Sequence, residues 1–156
     1  MAHVFAFWEN RVFYDSFMAR GHDRLAASQS GMYRDMQVKL FEYRFDVKTG
    51  FEPHFTDADV VRVAHSRVHE DRVEHFALMQ RTVWNPAMAG SPGMLRGMFG
   101  EAPGQEFLVL SMWQSSAERG KYRPQGVERL SDRAQTETDV AELTGDVVDL
   151  QPPWTV

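Results

Sequence analysis

Hydrophobic positions alternate along some stretches of this chain and recur at helical spacing along others. Asp59–His65 (Asp-Val-Val-Arg-Val-Ala-His) is rich in β-branched residues and reads as a strand. His69, Val73, Phe76, Gln80, Val83 and Trp84 then share one helical face, which predicts a helix over His69–Trp84. Pro86 and the Gly90-Ser91-Pro92-Gly93 cluster should end it. Met94–Phe99 and Glu106–Gln114 read as strands joined by a Gly/Pro turn over 100–104. A second helix starting near Ser115 or Ser116 and a strand over 141–150 complete the order β-α-β-β-α-β, the ferredoxin-like pattern.

The beginning of the chain repeats the later part. Laid over the segment from Val109, the segment from Val4 puts Trp8 on Trp113, Phe17 on Tyr122 and Gly21 on Gly126. Asp23 falls on Glu128, Arg24 on Arg129 and Leu25 on Leu130. Both copies read as a strand ending in Trp, a helix, a loop and a strand. In the first copy the helix is expected over Arg11–Gln29, with Asn10 as N-cap, and the closing strand over Val38–Val47. Pro124 should break or kink the second copy's helix. Residues 1–49 are thus expected to form the β-α-β half of a first module, 50–58 a linker, and 59–156 a complete module. Half a module leaves a sheet edge and an apolar helix face uncovered. Packing against the complete module, a partner chain, or residues upstream of Met1 would each resolve that.

Composition narrows the chemistry. At 156 residues the chain is long enough to bury roughly 70% of its unfolded surface without disulfides. It has no cysteine, which excludes thiolate metal sites and a cysteine nucleophile. A net charge of −5 argues against a broadly basic nucleic-acid surface. No apolar run approaches the roughly 18–20 residues of a membrane span, and the N-terminus lacks a basic start and a small-residue cleavage site. A soluble, cytoplasmic protein is expected. The 12% aromatic content and nine Met suit an apolar cavity or interface as well as a core.

A Trp-ended strand, a polar pair and a helix inside a ferredoxin-like unit resemble the antibiotic biosynthesis monooxygenase superfamily of dimeric α+β barrels. Phe5–Asn10, Phe17–Asp23, Val38–Glu42, Phe45-Asp46, Gly93–Gly97 and Leu110–Gln114 look most like its YdbC-like branch. The resemblance implies an α+β fold of ferredoxin-like modules forming a dimeric barrel. It also implies a site between the sheet and helices of a module, while the other sheet faces meet across the pair. The activities it implies are cofactor-independent oxygenation or rearrangement of an aromatic, polyketide-like metabolite, with haem binding or degradation as an alternative. A non-catalytic ligand- or partner-binding module is the third reading, and a homodimer is expected.

No paired zinc-ligand motif, phosphate loop or nucleophile elbow occurs. His65 ends its strand on the face of Val61 and Val63, and His69 follows in the next helix's first turn. Two imidazoles there could act as base and hydrogen-bond donor near neutral pH. They could also hold two positions of a metal, but no motif supplies a third ligand, so no metal is expected. Arg62, on the opposite strand face, could meet the second module. Trp8, Trp113, Trp84, Gln80 and Tyr122 are candidates for shaping a ligand site. His22 is a further candidate and would be the axial ligand in the haem alternative. Arg24 and Arg129 fall in apolar stripes, with Asp46 and Asp149 as their expected acid partners, and His75 falls off the stripe and should be solvated.

Overall fold

The computed structural model describes residues 3–28, 31, 37–48, 50–51, 57–122 and 126–151. The chain divides into two compact units, Met1–Lys39 and Leu40–Val156.

The first unit holds two helices, α1 (Arg11–Arg20) and α2 (His22–Ser28). The Asn10 side chain accepts from the backbone N–H groups of Val12 and Phe13, which satisfies donors that a helix start leaves open. The helix expected to run unbroken through this region is instead divided at Gly21, and Gln29 lies outside the described residues. The strand expected to end at Trp8 is absent: residues 3–8 take no strand structure.

The second unit is built on a five-stranded antiparallel sheet in the order β1-β3-β4-β2-β5. The strands are β1 (Glu42–Lys48), β2 (Val60–Val68), β3 (Met94–Ala102), β4 (Glu106–Trp113) and β5 (Val140–Asp149). Residues 60–149 give β3-β4-β2-β5, the strand order of a ferredoxin-like module. β1 comes from the segment read as the closing strand of the first module. It pairs with β3, Phe45 opposite Phe99, and so covers an edge of the second module's sheet.

Pro86 does not end the first crossover. A turn over Glu70–Arg72 leads into α3 (Val73–Met79), a π-helical turn over Gln80–Trp84 and α4 (Asn85–Ala89). Pro86 falls in the first turn of α4, just after the wide turn, where its missing N–H breaks no regular α-helical ladder. The second crossover is also broken, into α5 (Ser116–Tyr122) and α6 (Val127–Arg133), with the short α7 (Thr136–Asp139) before β5. Pro124 lies outside the described residues.

One sheet face carries Val60, Ala64, Val68, Phe99, Phe107, Val109 and Trp113 against Phe76 and Met88 of the first crossover. Phe45, Phe99, Phe107 and Phe76 form an aromatic cluster, with Phe99 stacked at 4.7 Å on Phe45 and 5.4 Å on Phe107. Each such ring contributes about 1.5–3 kcal/mol when fully buried. On the opposite face Val61, Leu110 and Met112 are also buried. At Gly97 the neighbouring strand β4 leaves no room for a side chain: a Cβ there would lie 2.8 Å from the Leu110 carbonyl oxygen. No helix among the described residues is long and apolar enough to cross a membrane.

Candidate functional site

The chemistry gathers where α5 passes over the end of β4. Ser115 Oγ accepts from the Glu118 backbone N–H and fixes the start of α5. That placement sets the Tyr122 ring 5.6 Å from the Trp113 ring, tilted by 39°. Trp113 is fully buried, and its indole N–H donates to Ser111 Oγ at 3.0 Å. Ser111 stands opposite Arg62 on β2, and Arg62 stands opposite Val147 on β5. Cross-strand partners point to the same side, so Arg62 shares the helix-covered face with Val60 and Ala64. This corrects the expectation that its face could meet a second module. The guanidinium crosses β5 at Gly145, where a side chain would begin 3.6 Å from Arg62 Nη2.

The Tyr122 hydroxyl oxygen is buried, and among the described residues it has no hydrogen-bond partner. Burial pushes its ionisation above the ordinary tyrosine value, while the positive charges of Arg62 and then Arg119 pull the other way. The phenol is therefore a neutral donor at physiological pH, held in a positive field. A buried donor without an acceptor costs free energy unless a ligand satisfies it. On the same side of the sheet Leu143 and Val147 of β5 remain 55% and 46% exposed.

The histidines singled out in the sequence do not join this group. His65 lies on the other sheet face, with Nε2 2.9 Å from Glu106 Oε2 and its ring edge-on to Phe41. His69 is exposed beyond the end of β2, and its backbone N–H donates to the Asp139 carbonyl. Strand parity had fixed which residues His65 accompanies, but only the tertiary structure shows which face the helices cover. Gln80 is buried as expected but occupied: its amide donates to Asn85 Oδ1 at 2.8 Å, and Asn85 donates to the Asp46 carbonyl. It ties the π-helical turn to β1. Trp84 is half-buried in that same turn.

Trp8 and His22 belong to the first unit. Trp8 packs on Phe17 at 5.0 Å, and His22 is partly exposed with Nδ1 3.2 Å from Asp23 Oδ1. Arg24 and Arg129 are both exposed, not set within apolar stripes, and Asp46 instead accepts from the Tyr43 hydroxyl and the Gly50 N–H.

Sequence reasoning missed a second cluster. Asp139 is fully buried and accepts from Arg72 Nε, with His75 Nδ1 on its other oxygen, both at 2.7 Å. Arg72 also donates to Gln135 Oε1. His75, expected to be solvated, is thus part of an ionic clamp joining the start of α3 to α7. Arg119 was missed as well. Nothing in the local pattern marks the Asp139 cluster, because the acid stands 67 and 64 residues along the chain from Arg72 and His75. Among the described residues, no group of three or more His, Cys, Asp or Glu side chains is arranged to hold a metal ion.

Comparison with known proteins bears on the fold. A profile for a domain of unknown function (DUF4937) matches residues 1–41. No curated protein matches the chain. A provisionally named monooxygenase from Fusobacterium nucleatum is 9% identical, with a TM-score of 0.64 over 92% of this chain and 71% of its own. An uncharacterised Listeria monocytogenes ferredoxin-fold protein related to antibiotic biosynthesis monooxygenases is 12% identical, with a TM-score of 0.53 over 71% of this chain and 64% of its own. SnoaB, a cofactor-independent oxygenase from Streptomyces nogalater, is 12% identical, with a TM-score of 0.52 over 60% of this chain and 94% of its own. At these identities the likeness is one of architecture: the chain has the α+β, ferredoxin-like fold found among antibiotic biosynthesis monooxygenase-like proteins.

Proposed function

We propose that this chain is a small-molecule enzyme that oxygenates or rearranges an aromatic, polyketide-like metabolite with no bound cofactor. The observation that carries the reading is the buried, unsatisfied hydroxyl of Tyr122, whose ring packs on Trp113, in the field of Arg62 and Arg119. A flat substrate stacks on aromatic side chains, and its carbonyl oxygen accepts from the phenol. As the methylene carbon conjugated to that carbonyl through the aryl rings loses a proton, negative charge moves to the oxygen, where the donor and the two cations stabilise it. Dioxygen is then the oxidant. In the oxygenation of an anthrone, the methylene carbon loses two hydrogens and gains one oxygen atom, and the second oxygen leaves as water. The SnoaB likeness supports this reading at the level of fold.

In this reading His65 and His69 are not the bases, since His65 lies behind the sheet and His69 lies outside. The methylene of such a substrate, flanked by two aryl rings conjugated to the carbonyl, is acidic enough to lose its proton to solvent once the enolate is stabilised. The reading also takes the sheet as part of an α+β barrel, closed within one chain or by a second copy, in a soluble cytoplasmic protein.

The test is oxygen uptake with anthrone. Uptake above the uncatalysed rate, reduced at least about tenfold in Tyr122→Phe, is expected for the loss of one oxyanion donor. A rate equal to buffer alone, or one indifferent to Tyr122→Phe, overturns the proposal.

A further inference from the structure

The shift along the chain that carries Trp8 to Trp113 also carries the structure of one unit onto elements of the other. It takes Arg11, the first residue of α1, to Ser116, the first residue of α5. It takes both ends of α2, His22 and Ser28, to both ends of α6, Val127 and Arg133. It takes the capping Asn10 to the capping Ser115. The ring pairs correspond too: Trp8–Phe17 at 5.0 Å and 37°, Trp113–Tyr122 at 5.6 Å and 39°. Independent sequences have no reason to agree at every one of these points.

The correspondence fails at the chemistry. Where the second unit has the Tyr122 hydroxyl, the first has Phe17, which offers no donor. Where the second has Arg119, the first has Tyr14, whose ring meets Trp8 edge-on at 6.0 Å. Arg11 lies over Tyr14, but its Nε is held at the surface by Asp15 at 2.8 Å. We infer that the first unit and the stretch of the second unit from Val109 through α6 are copies of one building block, of which only the later copy keeps a polar ligand site. The chain then binds one flat, oxygen-bearing aromatic molecule at Tyr122, and the matching position at Phe17 is an apolar remnant. This rests on the proposed function for the kind of ligand, and it adds the number of sites and the residues that set it.

Alizarin, a flat phenolic quinone, is a suitable probe, titrated calorimetrically into the full chain. One equivalent is expected per chain. Tyr122→Phe, which removes only an oxygen atom, is expected to weaken binding about tenfold, the cost of one buried hydrogen bond. Phe17→Tyr is expected to leave the affinity at the first equivalent unchanged. Two equal sites, no binding, or an affinity that ignores Tyr122→Phe overturns the inference. The two claims separate in the anthrone assay. Single-site binding without oxygen uptake removes the enzyme reading alone, and uptake with two equal sites removes the asymmetry alone.

Discussion

The Tyr122 ring lies 5.6 Å from that of Trp113, and its hydroxyl is buried with no hydrogen-bond partner among the described residues. A strand end and a helix from the same crossover thus meet at a group that folding leaves unsatisfied. Native structures rarely tolerate this unless something else binds there.

The raised ionisation of Tyr122 has a consequence for stability. Its folded value lies above the ordinary 10.0, so the unfolded chain ionises first as pH rises. The stabilisation is fully present below pH 10 and is lost as pH climbs through the folded value. Urea unfolding followed between pH 9 and pH 11 should therefore fall more steeply for the native chain than for Tyr122→Phe. Parallel curves would show that burial does not govern this phenol.

Asp139 should matter more to stability than any exposed carboxylate. It is fully buried and holds both Arg72 and His75. Asp139→Ala leaves two partners without their acid, and breaking a buried pair in this way costs about 3–5 kcal/mol. The urea midpoint should fall accordingly. Glu142→Ala, which breaks an exposed pair with Arg67, should cost less than about 1 kcal/mol.

Gly97 admits no side chain. A Cβ there would meet the Leu110 carbonyl at 2.8 Å and Met94 Cε at 3.0 Å. Gly97→Ala should destabilise by about 1–3 kcal/mol through overpacking, read from thermal or urea unfolding. Gly104→Asn, at a positive-φ turn with open space around it, should be tolerated much better.

The cap on α1 is a local test within the first unit. Asn10→Ala removes the acceptor for the Val12 and Phe13 N–H groups and should cost about 1 kcal/mol. Faster amide exchange confined to the first turn of α1 is the expected sign. Unchanged protection would show that the cap contributes nothing.

Much of the second unit was legible in its residues. Alternation at Val60–His65 and helical spacing from Val73 to Trp84 are local properties, and they specified the order β-α-β-β-α-β. The site was harder to read. Trp113 and Tyr122 stood out as aromatics, but Arg62 was given to the wrong layer and Arg119 was not considered. His65 attracted attention because imidazoles titrate near neutral pH, yet titration range says nothing about which side of a sheet a ring occupies.

By itself the sequence determined most elements of the second unit and their order, because periodicity, caps and turns act between residues near one another along the chain. Only the tertiary structure decided that β1 covers the edge at β3, that Arg62 faces the helices while His65 faces away, and that Asp139 binds Arg72 and His75. Those outcomes depend on which surfaces meet across distant segments. A strand's alternation fixes two faces without labelling either one, and the helices that pack against one of them supply the label.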